Sequence, residues 1–179
     1  LQPYAMPSDP NELFDVVNQH DEVLFQCKRS EVHRRRLFHR AVHILVYNSR
    51  GEVYLQRRSP TKDTYPNRWT TSCSGHVDAG ETYATAAVRE LSEELGICIE
   101  NTDTLELLFS ESPRRATGYE FIEVSRLSWD GPITPDPEEI SEGKWFTPAA
   151  LTEAIATVPD DFAPSARLVW ERANQSAVA

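Results

Sequence analysis

Three glutamates close together in one segment are the residues of this chain best suited to chemistry. If residues 82–95 form a helix, Glu90, Glu93 and Glu94 fall within an arc of about 100° on its surface. Carboxylates that share one helical face repel one another, so they reduce stability unless cations neutralise them. Mg²⁺ and Mn²⁺ are hard cations that bind such oxygen ligands. The alternative interpretation of these glutamates alone is a solvated acidic helix face.

The helix that must carry these carboxylates is the clearest element in the sequence. Its apolar residues recur with the spacing i, i+3, i+4, i+7 and i+11, which predicts a stripe packed against the core. Gly96 is expected to end the helix in a left-handed conformation. The carboxylates are expected on the side of the helix opposite the stripe. The stripe consists of Ala84, Ala87, Val88, Leu91 and Leu95.

The rest of the chain combines short strands with a few helices. Strands are predicted within 13–27, on both sides of a turn, and at 41–47, 52–57, 105–110 and 119–127, with a shorter one ending at Gly75. Residues 34–36 are expected to form a basic turn, and 146–155 and 163–173 to form helices with a proline in the first turn. Because no regular βαβ order is visible, we expect an α/β (α+β) fold with a mixed β-sheet covered by helices.

The overall charge restricts the partners of the protein. The chain of 179 residues has 18 Lys and Arg against 28 Asp and Glu, a net charge of −10. Phosphate backbones attract basic surfaces, so binding of a nucleic acid polymer is not expected. A small phosphate ligand would need divalent cations to bridge it to the carboxylates.

Cysteine usage and hydropathy bear on the compartment and the domain organisation. Cys27, Cys73 and Cys98 include no CxxC spacing, which argues against a disulfide framework or a zinc ribbon and favours the cytoplasm. No apolar run approaches the roughly 18 residues of a membrane helix, so no membrane partner is expected. Residues 1–10 are predicted to be a loose N-terminal tail, and residues 11–179 a single domain.

A longer pattern that includes the glutamates is specific to one family. From Gly75 the sequence reads G-x5-E-x7-R-E-L-x-E-E-x-G-I, where x is any residue. At residues 75–97 this pattern resembles the Nudix box at every specified position. The resemblance implies a Nudix-type α/β/α sandwich in which the box forms a loop, a helix and a second loop. The specified positions are Gly75, Glu81, Arg89, Glu90, Leu91, Glu93, Glu94, Gly96 and Ile97.

The resemblance also implies a reaction. Members of that family bind Mg²⁺ or Mn²⁺ and hydrolyse a small-molecule diphosphate, usually a nucleoside diphosphate linked to another group, through a metal-activated water. Glu90, Glu93 and Glu94 would then be catalytic metal ligands. The backbone carbonyl of Ser74, just before the box glycine, would be a further ligand.

The other box residues are expected to have structural roles. By the same resemblance, Arg89 would orient a glutamate through a bidentate pair. Gly75 and Gly80 would allow the tight backbone path of the loop. Glu81 and Gly96 complete the structural set of the box.

A second likeness extends over about residues 13–151. The stretch FHRAVHILVYNSRGEVYLQRRSPTKDTYPNRWTTSCSGHVDAGE, residues 38–81, is similar to type I isopentenyl-diphosphate isomerases, a Nudix branch that isomerises instead of hydrolysing. This similarity implies a possible second metal site, in which Glu120 is both a ligand and a proton-handling acid. It also implies that Arg58 and Lys62 hold the diphosphate and that Trp69 lines the substrate pocket. The possible ligands of the second metal are His33, His39, His76 and Glu120.

This chain departs from the isomerases at two positions. Ser74 stands where those enzymes have a catalytic cysteine, and Cys73 is displaced by one residue. On a strand, that displacement turns the thiol to the opposite face, so Cys73 is expected to be buried. Gly118 replaces a second glutamate ligand. Together with the complete Nudix box, these departures favour hydrolysis of a phosphoanhydride. An isopentenyl-diphosphate isomerase and a non-catalytic phosphate-binding Nudix domain remain the alternatives.

Two loops, residues 59–69 and 112–121, are expected to select the substrate. Tyr65, Trp69 and Tyr119 could stack on a nucleobase or simply pack at the rim of the site. Arg114 and Arg115 could contact the substrate. The resemblance to the family also implies a possible homodimer.

Overall fold

A computed structural model describes residues 9–178 of the chain. Residues 1–8 of the predicted tail lie outside the described residues, whereas the carbonyl of Pro10 accepts a hydrogen bond from Ser30 at 3.2 Å. The strands are β1 (Leu13–Val17), β2 (Val23–Lys28), β3 (His39–Tyr47), β4 (Val53–Arg58), β5 (Trp69–Thr70), β6 (Cys73–His76), β7 (Glu106–Glu111), β8 (Glu120–Ser128) and β9 (Ile140–Phe146). The α-helices are α1 (Arg29–Arg35), α2 (Tyr83–Leu95), α3 (Pro148–Thr157) and α4 (Pro164–Val178).

Seven of these strands form one mixed sheet, as the sequence predicted. The strand order is β5-β4-β3-β8-β7, with β6 also paired to β3 and β9 to β4. The central pair, β3 and β8, is parallel, and the other pairs in the sheet are antiparallel. Strands β1 and β2 form a separate antiparallel hairpin.

Alternation along β3 separates two apolar layers. Ala41 and Leu45 pack in one core cluster, which includes residues of α3 and α4. Val42 and Ile44 pack in the other, which includes residues of α2. Because successive side chains of a strand point to opposite faces, helices cover both faces of the sheet. This arrangement is an α/β/α sandwich of the α+β class, which confirms the predicted fold class.

Two elements differ from the sequence-based expectation. Residues 29–35 form helix α1, so the predicted basic turn is wrong for Arg34 and Arg35, whereas Arg36 forms the turn that ends the helix. An exposed ion pair of 2.5 Å joins Glu31 and Arg34 on the surface of α1. Strand β9 was not predicted, because the exposed polar run Ser141–Lys144 hides its alternation. It forms by pairing with β4, a contact between segments about 90 residues apart in sequence.

Helix α2 begins and ends close to the predicted residues. Thr82 caps its N-terminus, since its hydroxyl accepts the N–H of Thr85 while the Thr85 hydroxyl accepts the N–H of Thr82. Gly96 ends it in the left-handed region, with φ 64°. In the predicted stripe, Ala84 is exposed, and Ala86 is buried in its place.

None of the helices within residues 9–178 combines the length and the apolar character that crossing a membrane requires.

The packing of α2 on the sheet can be tested with Leu91, which is fully buried in the α2 cluster. Leu91→Ala should lower the free energy of unfolding by about 2–5 kcal/mol, because the surrounding side chains cannot fill the cavity. Urea denaturation followed by circular dichroism measures this loss. Leu107→Ala on the exposed face of β7 is the matched control, with a change within about 0.5 kcal/mol. Equal losses in the two variants would contradict this packing.

Candidate active site

One cavity of about 1350 Å³ contains most of the residues that the sequence singled out. It lies where α1, α2, β3, β6 and the start of β8 meet. The predicted site residues that line it are Glu90, Glu93, Glu94, Ser74, Gly75, Arg89, Gly96, His33, His39, His76, Glu120, Arg58 and Lys62.

The three glutamates of α2 are in different environments. Side-chain exposure is 12% for Glu90 and 49% for Glu93, and Glu94 is a buried residue. The expectation that the carboxylates lie opposite the apolar stripe is therefore wrong for Glu94, which shares the buried side of the helix with Leu91 and Leu95. Only tertiary packing decides this, because Glu94 lies at the edge of the stripe on the helix surface.

Burial shifts the titration of two of these carboxyl groups. It raises the pKa of Glu94 to about 7. Burial, together with repulsion from Glu94, also raises the pKa of Glu90 well above its usual range. A cation placed between the two groups would favour their ionised forms. The pair is therefore suited to binding a positive charge.

Gln56 holds Glu94 in place. Its amide Nε2 donates to Glu94 Oε2 at 2.5 Å and to the carbonyl of Ser72 at 3.1 Å. The N–H of Ser74 contacts the same carboxylate oxygen at 3.3 Å. Gln56 was not predicted from the sequence. The available signal was one uncharged polar residue in the otherwise apolar beginning of β4, since a buried amide needs partners.

Arg89 connects the box residues to one another. It makes the expected bidentate pair with Glu81, with both N···O distances 2.9 Å. It also donates to Glu90 at 2.8 Å and to Glu93 at 3.3 Å. A further bond of 3.0 Å reaches the carbonyl of His76 on β6. Arg89 thus fixes α2 against the strand that borders the cavity.

Gly75 has a different role from the predicted one. Its φ is not positive, so it does not make a tight turn; Gly80, with φ 80°, does. A Cβ atom at Gly75 would lie 2.1 Å from the carboxyl carbon of Glu90. Glycine is needed at this position because the Glu90 carboxyl group packs directly against the strand.

The three histidines form a second cluster in the same cavity. One possible ligand atom from each of His33, His39 and His76 lies within 4.8 Å of the others. Oε1 of Glu120 is 2.9 Å from His76 Nε2 and 3.3 Å from His39 Nε2. The cluster assembles because β8 pairs with β3 and aligns Glu120 with His39. Burial lowers the pKa of His33 and of His76 to about 4, which leaves their imidazoles neutral.

Hydrogen bonds determine which nitrogen atoms of these rings carry protons. His39 Nδ1 lies 2.8 Å from the carbonyl of Leu37, which can only accept, so this nitrogen carries a proton. Its Nε2 is buried without a hydrogen-bond partner among the described residues and lies 3.3 Å from Oε1 of Glu120. In His76, Nδ1 accepts from Arg29 at 3.0 Å, so the proton lies on Nε2.

The predicted phosphate-binding cations reach the cavity. Arg58 donates to the carbonyl of Thr64 at 2.8 Å, and burial lowers its pKa. Lys62 forms a close ion pair with Glu139. Both side chains are held at one wall of the cavity by the loop that follows β4.

Three residues that were expected to contact the substrate do not line the cavity. Trp69 does not line the cavity; it is buried in the core, edge-on to Phe146 with ring centroids 5.6 Å apart. Arg114 forms an ion pair of 2.9 Å with Glu111, and neither it nor Arg115 lines the cavity. The direction of the backbone at the strand ends decides where these side chains point, and the spacing of residues in the sequence does not determine that direction.

Cys73 and Ser74 point to opposite faces of β6, as expected. Cys73 is fully buried in the α2 cluster, and this burial raises the pKa of its thiol well above the usual value. Ser74 lines the cavity. A buried thiol with a raised pKa is a poor nucleophile and a poor proton donor to a substrate.

Sequence comparison identifies the family. The family model described as NUDIX domain matches residues 37–168. A Nudix hydrolase of Deinococcus radiodurans is 38% identical over 146 residues, covering 82% of this chain and 85% of that protein. An uncharacterised Nudix hydrolase of Yersinia pestis is 34% identical over 159 residues, covering 88% and 83%. The chain therefore belongs to the Nudix hydrolase family.

Solved structures agree with the fold. The crystal structure of DR0079 from Deinococcus radiodurans has a TM-score of 0.70 and 37% sequence identity, covering 82% of this chain and 90% of that chain. The MutT protein from Methanosarcina mazei Go1 has a TM-score of 0.64 at 20% identity, covering 78% and 95%, and this likeness concerns the fold alone. The similarity to isopentenyl-diphosphate isomerases is not confirmed by these matches.

The inert character of Cys73 can be tested by thiol labelling. A maleimide should modify exposed Cys98 rapidly in the folded protein and should modify buried Cys73 only after denaturation. Mass spectrometry of the labelled peptides measures each site separately. The Cys98→Ser variant, which removes the exposed thiol, is the control. Rapid labelling of Cys73 in the native protein would contradict its burial and restore it as a possible nucleophile.

Proposed function

We propose that this protein hydrolyses the phosphoanhydride of a small molecule, a nucleoside diphosphate derivative or a related diphosphate, with Mg²⁺ or Mn²⁺. The observation that carries the proposal is the pair of buried carboxyl groups, Glu90 and Glu94, at one wall of a large cavity. Arg58 and Lys62 supply positive charge in the same cavity. Membership of the Nudix hydrolase family supports the reaction class.

The donor atoms at α2 fit a hard divalent ion. Glu90, Glu93 and Glu94 would hold it, with the carbonyl of Ser74 as a further ligand, because carboxylate and carbonyl oxygens are the ligands that Mg²⁺ and Mn²⁺ prefer. The raised pKa of Glu94 supports this assignment, since it reflects a carboxyl group buried without enough positive charge. When bound, such an ion lowers the pKa of a coordinated water and offsets the charge of the phosphate oxygens.

The other residues of the cavity would bind and orient the diphosphate. Arg58 and Lys62 are placed to pair with phosphate oxygens, and Lys62 would exchange Glu139 for the substrate. Glu120 is a further proposed catalytic residue, since its carboxylate lies in the same cavity beside the histidines. Isomerisation of isopentenyl diphosphate is not favoured, because Ser74 replaces the cysteine and Cys73 is buried. The cytoplasmic location and a homodimer stay predictions.

Glu94→Gln tests the proposed metal site. The variant keeps the size of the side chain but removes its charge, so the rate of hydrolysis should fall by at least about a hundredfold. The measurement is the release of inorganic phosphate, with coupling enzymes that free phosphate from the products of hydrolysis. The panel consists of nucleoside diphosphates, triphosphates, sugar nucleotides and dinucleotides, each with Mg²⁺ or Mn²⁺. Exposed Glu153→Gln on α3 is the control and should keep the wild-type rate. An unchanged rate in Glu94→Gln would refute the assignment.

We also propose that the histidine cluster binds a second divalent metal. His33, His39, His76 and Glu120 would be its ligands. The supporting observation is His39, whose buried Nε2 lies 3.3 Å from Glu120 Oε1 without a hydrogen bond, an arrangement that is unfavourable unless a cation or a proton lies between the two atoms. A metal can bind Nε2 of His76 only after the proton has left this nitrogen. The proton would then lie on Nδ1, so the hydrogen bond from Arg29 to Nδ1 must break.

Metal titration distinguishes the two proposed sites. In a Glu90→Gln/Glu94→Gln background, calorimetry with Mn²⁺ or Zn²⁺ should still detect binding at the histidines. Addition of His39→Ala should abolish that signal, since it removes one of few ligands. His20→Ala, an exposed histidine in the hairpin turn, is the control and should leave binding unchanged. Binding that survives His39→Ala would contradict a metal site at the histidines.

A further inference from the structure

Arg36 and Tyr119 are two of the residues with large side chains that hold a left-handed backbone at the edge of the cavity. Arg36, which ends α1, has φ 54°, and Tyr119, which precedes β8, has φ 66°. Both line the cavity, and Arg36 is exposed to solvent there. A left-handed conformation costs an L-residue about 1–2 kcal/mol, which glycine avoids. Arg36 is also the C-cap of α1, but glycine would fit both positions with less strain, and strained residues are concentrated at functional sites.

The two side chains face each other. The guanidinium carbon of Arg36 is 5.9 Å from the centroid of the Tyr119 ring, within cation–π range. The backbone fixes both, because the N–H of Tyr119 donates to the carbonyl of Arg114 at 2.9 Å and the N–H of Arg36 to that of His33 at 3.2 Å. An aromatic face beside a planar guanidinium is a surface on which a flat ring can stack.

This pair lies close in sequence to two residues of the proposed site. Tyr119 directly precedes Glu120, and Arg36 lies three residues before His39. The charge proposed to bind phosphate lies elsewhere, on Arg58 at the end of β4 and on Lys62 in the loop that follows. The cavity, at about 1350 Å³, exceeds the usual 300–1,000 Å³ of small-molecule sites, so it has room for much more than a diphosphate.

We propose that Tyr119 and Arg36 form a subsite that binds the nucleobase of the substrate. The base stacks on the Tyr119 ring, and the Arg36 guanidinium lies against the same planar group. This inference rests on the proposed function, because it assigns one end of the substrate whose diphosphate the carboxylate site cleaves. It narrows the substrate class to nucleotides and excludes diphosphates that carry only an aliphatic group.

Tyr65 is the competing aromatic residue. It also has a positive φ, 46°, and lines the cavity, with the Arg68 guanidinium 5.5 Å from its ring. However, Tyr65 is 46% exposed and lies within a ten-residue loop between β4 and β5. Tyr119 is less exposed and is anchored at the start of a strand in the sheet. A ring held in place loses less entropy when it stacks, which favours Tyr119.

The test compares ligands with and without a base. Calorimetry in Mg²⁺ measures the Kd of the α,β-methylene analogues of ADP, GDP, CDP and UDP, and of methylenediphosphonate, which has no base. Tyr119→Gly and Arg36→Gly should each weaken binding of the best nucleotide analogue by about tenfold, equivalent to about 1.4 kcal/mol. Binding of methylenediphosphonate should not change. Tyr119→Phe should bind like the wild type, because it keeps the ring.

Thermal unfolding separates this role from a structural one. Both glycine variants should have a Tm equal to or above that of the wild type, because glycine relieves the left-handed strain. Arg35→Ala, on the exposed surface of α1 outside the cavity, is the control. It should change neither the Kd of the nucleotide analogue nor that of methylenediphosphonate. Tyr119→Ala removes the ring without the added freedom of glycine. The proposal would be overturned if Tyr119→Gly had a much lower Tm while Tyr119→Ala bound the nucleotide analogue with the wild-type Kd.

Other outcomes are equally decisive. Equal weakening of both ligands in Tyr119→Gly, loss of nucleotide binding in Tyr65→Ala instead, or no nucleotide binding by the wild type would each overturn the subsite. Hydrolysis that depends on Glu94 but not on Tyr119 would overturn the subsite and leave the proposed function intact. Base-dependent binding through Tyr119, without hydrolysis of any compound in the panel, would support the subsite and contradict the proposed function.

Discussion

Two carboxyl groups of α2, those of Glu90 and Glu94, are packed against β6 and β4 instead of facing water. Gly75 leaves room for the first, and Gln56 donates a hydrogen bond to the second. Buried carboxylates are unfavourable unless positive charge compensates them, and Arg89 contacts only one of the two. The chain thus keeps two carboxyl groups with raised pKa values at the floor of a cavity, and a bound cation would favour their ionised forms.

Strand β6 joins the two clusters of the cavity. Ser74, Gly75 and His76 are consecutive, and they contact Glu94, Glu90 and Glu120 in that order. Arg89 reinforces the connection through the carbonyl of His76. A shift of this strand by one residue would turn every side chain to the other face, so its register controls both clusters at once.

Much of the site followed from local patterns. The 3.6-residue period predicted α2 with Thr82 at its start and Gly96 at its end, and capping and φ 64° agree. The alternation of strand side chains placed Cys73 and Ser74 on opposite faces. In contrast, Trp69 and β9 were misjudged or missed, because their environments depend on partners far away in the sequence. Local signals cannot report such contacts.

By itself, the sequence determined which carboxylates share a helix, which residues flank them along the chain, and the family to which the chain belongs. Periodicity and spacing are short-range properties, so a single segment carries them completely. Only the tertiary structure decided that Glu94 is buried while Glu93 is exposed, that Gln56 supports Glu94, and that Tyr119 faces Arg36. Burial, hydrogen bonding and ring contacts join residues from different elements, and these distances exist only after the sheet and its helices have packed together.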